Sequence, residues 1–589
     1  MRILVINLMR LGDLVQCSPV LGTLRSRYPE AQITLVVQAV FQETARLIPH
    51  ADRLLVFPAL QLAPLLDQGG DWSQAYEVLE AWLRTHIASP PDLVVNLTPD
   101  FVGALLAYLS RGRQVRGLTI NPSRSFFTQP AWMSYLMIIS RARRANPFNL
   151  VDLFLKSAGL EPEGAGLSLQ IPAEAQSQAE SFLEGLHLAP GTSLVGVVPG
   201  ASQPQRQWPA EKYAQVALRL LNARPCHFFL FGTQKERPQG EKIAALLPPG
   251  TATLCAGGTS VAFLAALLSR LQLLITNDTG PMHLAAAVNT PVLAFFLAGA
   301  RVQDTGPVGE GHLALEPRID CHPCHYPDSC SLFKCHEAFS PDAVATWALR
   351  LLEQKPCAPI PDDACWRTLQ VYRSTWDPTG HHAHLPLIRR PLDRKHFWTL
   401  VHRAVWPRFL DKAGARGNAL ERWLGEVMTS HFLPPKDDLG LKGNSRALTE
   451  LLELTTQGEG LARQLIDIPQ QRRTPSFLWQ QAEAIRSLDP KLHRLLVGYP
   501  EIAAFIEFYF QEQRGNEEMY VNILARQLAE CYQNLHQAGK ICLEVLQEIT
   551  AGLPGMSQYI SSLSVMAQLV QQPSKKPDTY QLTEVAPCK

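Results

Sequence analysis

Short apolar runs alternate with segments of helical spacing from Met1 to about Gly159: RILVIN, the stretch around Val15 to Tyr28, ITLVVQ, and later DLVVNL. Strands separated by helices in this way pair in parallel and form a sheet covered on both faces. A second series begins at SLVGVVPG and continues through CHFFLFG, LLITN and PVLAFF, ending near Gln354 after a helix with Trp347, Leu349 and Leu352. The pattern predicts two α/β domains in tandem, residues 1–170 and 171–354. The proline-rich KPCAPIPDD at Lys355–Asp363 opens an expected linker, residues 355–395. Beyond about Ala364 the strand signal disappears. Val521, Leu524, Leu528, Cys531 and Leu535 recur at spacings of three and four, the seam of a helix packed on other helices, so residues 396–571 are expected to be all-α. His381, His382 and His384 read as a solvated tract within the linker, with metal binding the lesser alternative, and residues 572–589 read as a disordered tail.

Composition narrows the class. Over 589 residues, 46% apolar and 18% charged content are those of a globular protein, and 54 Lys plus Arg balance 53 Asp plus Glu. No global basic field favours nucleic acid, and no run approaches the ~20 apolar residues of a membrane span. The start, MRILVINLMRLGD, has an apolar run too short for a signal-peptide core, broken by Arg10 and Asp13, so a cytoplasmic chain is expected. Its 12 cysteines then read as free thiols or metal ligands.

Candidate chemistry gathers where strands end. In TNDTGPMHLAAAVNTPVLAFF a strand gives way to a helix at Asp278, Thr279, Gly280 and His283. Thr279 or Asp278 can cap that helix, Pro281 suits its first turn, and Gly280 lets the backbone approach a bound group. The helix end would face a phosphate or pyrophosphate. LMRLGDLVQCSPVL places Gly12 and Asp13 in the first strand-to-helix turn, where open α/β sheets bind ligands. VVPGASQPQRQWP offers Ser202 and Arg206 before Trp208, and FFLFGTQKERP offers Glu236. No D-x-D carries a divalent metal, so a helix end and a cation must serve a diphosphate instead. DCHPCHYPDSCSLFKCH sets Cys321, Cys324, Cys330 and Cys335 in the ligand count of a structural tetrahedral zinc site, with His322, His325 and His336 as substitutes. Free thiols and an iron–sulfur cluster are the alternatives.

Together these stretches resemble the ADP-heptose:lipopolysaccharide heptosyltransferase family, glycosyltransferase family 9, over roughly residues 1–354. The shared pattern is the L-x-x-x-G-D turn, the P-G-A-S loop with a following basic residue and Trp-Pro, and D-T-G-x-x-H. The resemblance implies a GT-B architecture: an N-terminal Rossmann-like acceptor domain, a second Rossmann-like domain holding the nucleotide sugar and carrying the cysteine cluster, and an unusual helical extension. It implies an inverting, metal-independent transfer of heptose or a related sugar from a nucleoside diphosphate, ADP favoured, to lipopolysaccharide core or another bacterial glycan at the inner face of the cytoplasmic membrane. Asp13 matches the family's base. Thr279, Gly280 and His283 match its pyrophosphate site, with Asp278 beside them. Arg206 stands where lysine is usual, and its fork alters reach. Ser202 and Glu236 match donor-binding positions, Glu236 toward the nucleoside. The competing reading is a non-catalytic scaffold of the same fold whose helical domain engages a protein partner; the intact Asp13 argues for the enzyme. A nicotinamide-dependent oxidoreductase lacks support, since no G-x-G-x-x-G follows the first strand.

Overall fold

The computed structural model describes residues 1–66, 70–120, 126–139, 143, 146–324, 330, 332–355, 368–411, 417–467, 474–514 and 521–551. They fall in two compact units: one takes in Met1–Met137, Asn146–Arg390 and Asn418–Leu433, the other the described parts of Ile138–Ala145, Pro391–Gly417 and Pro434–Lys589.

The first unit is built on two sheets. Strands β1 (Arg2–Ile6), β2 (Gln32–Gln38), β3 (Arg53–Phe57), β4 (Leu93–Asn96), β5 (Gln114–Ile120) and β6 (Phe126–Gln129) lie in the order β3-β2-β1-β4-β5-β6, parallel except for β6. Strands β7 (Ser193–Val198), β8 (Cys226–Leu230), β9 (Ala252–Leu254), β10 (Leu273–Asn277), β11 (Val292–Phe295) and β12 (Leu313–Pro317) form the parallel part of the second sheet. Its order, β9-β8-β7-β10-β11-β12, repeats the doubly wound arrangement, and the order in which strands are added reverses beside β1 in one sheet and beside β7 in the other. Continuous apolar runs form these strands because helices cover both faces: every residue of β4, β8, β10 and β11 is buried. Fully burying each Val, Leu, Ile or Phe contributes about 1.5–3 kcal/mol, which outweighs the modest β propensity of any single residue.

Two expectations are overturned here. Where a linker was expected over 355–395, Leu369–Trp376 (β13) and His382–Pro386 (β14) are strands, added antiparallel beyond β12; residues 356–367 lie outside the described residues. The histidine tract is accordingly not a solvated linker. His381 and His382 are buried, and the His382 backbone N–H donates to the Asp152 carboxylate (3.0 Å).

The second unit, described by itself, is helical. Its long helices Leu441–Asp467 and Val521–Ala551 pack on one another, with Arg394–Leu410 and Ala503–Arg514 against the latter. Trp406, Phe505 and Phe508 form an aromatic cluster there. Of the expected seam, Cys531 and Leu535 are buried and Leu528 packs against a buried cluster, whereas Val521 and Leu524 are exposed; Ala525, Ala529 and Tyr532 are buried beside them. The tail at 572–589 lies outside the described residues.

Candidate active site

The helix Leu11–Gln16 that follows β1 is short but anchored from outside its own domain. Val15 is buried in an apolar cluster with Met282, Leu284 and Phe296 of the second half, and Leu11, one turn earlier, packs against the same cluster. The helix Gly280–Ala287 that follows β10 therefore lies directly against it. A Cβ on Gly12 would stand 2.9 Å from His283 Cδ2, and one on Gly280 would stand 2.7 Å from Leu11 Cδ2. Each motif needs its glycine because the other motif's helix occupies the space. Gly280 thus makes room for Leu11, whereas the sequence suggested a bound group.

Asp13 is the third residue of its helix, and its Oδ2 accepts from the Arg10 backbone N–H (3.3 Å). Read as a cap, this bond would hold the carboxyl acidic. Burial instead pushes Asp13 up to about 6, outweighing the Arg10 N–H and charge; the Asp278 carboxylate adds a smaller rise and the Arg206 guanidinium a smaller fall. The candidate base thus lies within electrostatic reach of the candidate diphosphate residues.

Arg206 ends a single 3₁₀ turn, Pro204–Arg206, fixed by the buried Trp208. The Trp208 ring stacks on Phe295 at 4.5 Å, its Nε1–H donates to His336 O (3.2 Å), and its backbone N–H donates to Asn277 Oδ1 (3.1 Å). Asn277 Nδ2 donates in turn to Pro199 O (2.8 Å) and Gly200 O (3.2 Å). Asn277 thereby ties the loop after β7 to the end of β10. Sequence reading missed it, although an amide closing an otherwise apolar buried strand was the available signal.

Arg206 Nη2 donates to the Asp278 carboxylate and to Asp278 O (3.2 Å). Asp278 is consequently not the helix cap; Thr279 occupies the N-cap position without a side-chain cap bond. His283 is 3% exposed, and burial pushes it down to about 4 against a smaller upward influence of Asp278, so it acts as a neutral ring at physiological pH. Arg206 Nε and His283 Nδ1 are buried with no hydrogen-bond partner among the described residues. Unsatisfied nitrogens beside a helix N-terminus suit an anion. Glu236 spends Oε2 on Thr233 N (2.7 Å) and Thr233 Oγ1 (2.9 Å), and its other oxygen lies over Gly200, within the β7 loop's reach. Ser202 is exposed on that loop.

Burial raises the Cys324 thiol, and the charges of Cys321, Cys335 and Cys330 add smaller rises. Among the described residues, however, no group of three or more His, Cys, Asp or Glu side chains is arranged to hold a metal ion. Of the substitute ligands, His336 Nε2 is bonded to Gln205 O (2.9 Å) and His322 Nε2 to Ala300 O (3.0 Å); His325 lies outside the described residues.

Comparison with known proteins agrees with this geometry. Residues 91–331 match the model of glycosyltransferase family 9 (heptosyltransferase). The chain is 26% identical to lipopolysaccharide heptosyltransferase 2 of Salmonella typhimurium over 314 residues, 50% of this chain and 82% of that protein. It is also 26% identical to lipopolysaccharide heptosyltransferase 2 of Escherichia coli K12 over 309 residues, with the same coverage. In fold it is similar to a family 9 glycosyltransferase from Veillonella parvula, with a TM-score of 0.50, 23% identity, and coverage of 60% of this chain and 97% of that one. The two relatives match half of the chain and the solved structure 60% of it. Within its two α/β halves, with Asp13 of one facing the Asp278–His283 turn of the other, the chain is similar to glycosyltransferase family 9 over residues 91–331, and on these comparisons it is a glycosyltransferase.

Proposed function

We propose that the protein moves heptose or a related sugar from a nucleoside diphosphate donor, ADP favoured, to lipopolysaccharide core or another bacterial glycan, with inversion and without a metal on the diphosphate. The observation that carries this reading is the juxtaposition of Asp13, whose carboxyl burial pushes up to about 6, with two buried nitrogens that have no hydrogen-bond partner among the described residues, on Arg206 and His283. The acceptor hydroxyl oxygen attacks the anomeric carbon and gives its proton to Asp13 as the bond from that carbon to the diphosphate oxygen breaks. Charge building on the departing diphosphate meets the Arg206 guanidinium, the His283 ring and the N-terminal end of the Gly280–Ala287 helix. Ser202 and Glu236 border the donor side, Glu236 toward the nucleoside. The named relatives are lipopolysaccharide heptosyltransferases, which supports the sugar and acceptor class. Among the described residues no helix is long and apolar enough to cross a membrane, and we assign acceptor access to peripheral contact at the inner face of the cytoplasmic membrane.

Titration calorimetry with ADP, UDP and GDP tests the donor site. Arg206→Ala and His283→Ala each weaken nucleoside diphosphate binding by about 1.5–3 kcal/mol, the weight of a charged hydrogen bond, and Asp13→Asn does not. Unchanged affinity for every nucleotide in both variants would remove the donor site and with it this reading.

A further inference from the structure

The loop after β11 runs from the segment joining the two halves to the donor side of the cleft. Arg301, fully buried, donates through Nη1 to Asn146 O (3.3 Å) and faces Asp304 at 3.7 Å. Asn146 Nδ2 donates to Asp304 Oδ1 (2.8 Å), and Asn149 Nδ2 donates to Gly306 O (3.1 Å). Val302–Thr305 is a single helical turn, so Thr305 is fixed between two residues that are each bonded to the 146–149 segment. Its Oγ1–H donates to Asp278 Oδ1 (3.3 Å), while Asp278 Oδ2 accepts from Arg206 Nη2. The two oxygens of one carboxylate are thereby taken by different partners. A carboxylate held at a single oxygen turns about its terminal bond, which has broad torsional preferences, and one held at both does not. Arg206 is bonded to that carboxylate through Nη2, and its Nε–H is buried without a protein partner among the described residues.

We infer that Thr305 is a positioning residue of the donor site: by holding Asp278 it fixes the direction in which Arg206 presents its buried Nε–H to the donor diphosphate. The inference rests on the reading of this cleft as a nucleoside diphosphate site. Thr305→Val keeps the shape and removes the hydroxyl; Thr305→Ser keeps the hydroxyl. Calorimetry with ADP, on proteins whose melting temperatures are compared first, gives the expected pattern. Thr305→Val binds ADP about fivefold more weakly, the weight of one ordinary hydrogen bond, and Thr305→Ser binds it as the parent does. On an Arg206→Ala background Thr305→Val has no further effect, because the hydroxyl acts through Arg206. Parent affinity in Thr305→Val, failure of Ser to restore binding, or a full additional loss on the Arg206→Ala background would each overturn the inference and leave the transferase reading standing. A parent protein that binds no nucleoside diphosphate would overturn both.

Discussion

At the scale of single residues, Asp13 shows how two local influences are ranked. A backbone N–H at a helix start holds a carboxylate acidic, whereas burial raises it, and here burial wins, moving the group from 3.8 to about 6. The sign of the consequence follows from proton counting. The folded chain holds the proton more tightly than the unfolded chain, so stability declines as pH rises between the two values and the loss is complete above about 6. Asp13→Asn is therefore expected to be more stable than the parent at pH 7, by at most about 3 kcal/mol, and equal to it below about pH 4, in paired denaturant titrations. Its turnover should fall by about 10² to 10⁴, the contribution of a positioned base, with ADP affinity retained. The parent's rate should rise with pH through about 6 as the carboxyl ionises. Transfer by Asp13→Asn at the parent rate would place the base elsewhere. The Gly12-Asp13 turn was legible in the sequence; the direction of its pKa was not, because burial sets it, and burial depends on what packs around the turn in three dimensions.

At the scale of elements, the two helix starts at Leu11 and Gly280 define the cleft, and their glycines test that statement. In an exposed helix, Gly→Ala would stabilise by about 1 kcal/mol through propensity alone. At Gly12 the new methyl would meet the buried His283 ring at 2.9 Å, too close to be accommodated by movement of a free side chain. Overpacking costs about 1–3 kcal/mol, so Gly12→Ala is expected to be net destabilising and to lower transfer, measured by chemical unfolding and turnover. A variant as stable as the parent would mean that the helices part easily. Elements also show where sequence reading failed. The strands β13, LQVYRSTW, and β14, HAHLP, carry Arg, Ser and His among their apolar residues and resemble a polar linker. What makes them strands is the antiparallel register with β12, Leu313 opposite Arg373 and Pro317 opposite Leu369, a partner more than fifty residues back. In the second unit the helix at Val521 was legible, and so was its packed face from Leu528 through Cys531 to Leu535; only at Val521 and Leu524 does the expected stripe lie exposed.

For the molecule as a whole, the cysteine segment 321–335 is bound up with the donor half through His336, whose carbonyl receives the Trp208 indole N–H that steadies the Arg206 loop. We propose a structural zinc at Cys321, Cys324, Cys330 and Cys335 on their spacing in the sequence, although among the described residues no three such side chains are grouped to hold an ion. Purified protein is expected to contain about one zinc per chain, and Cys324→Ser is expected to lower the melting temperature of the α/β unit, while a short assay in chelator retains transfer. Metal analysis that finds neither zinc nor iron in anaerobically prepared protein would end that proposal. By itself the sequence determined what depends on neighbours along the chain: alternating buried strands and helices, the turn chemistry at Gly12-Asp13 and Asp278–His283, and the family those turns resemble. Only the tertiary structure decided that Gly12 and Gly280 face one another, that of the two expected caps Thr279 takes the N-cap position while Asp278 holds Arg206, that His283 is neutral, and that the histidine tract lies inside a sheet. Those properties belong to pairs of residues far apart in the chain, and burial, charge and steric exclusion act across space without regard to sequence separation.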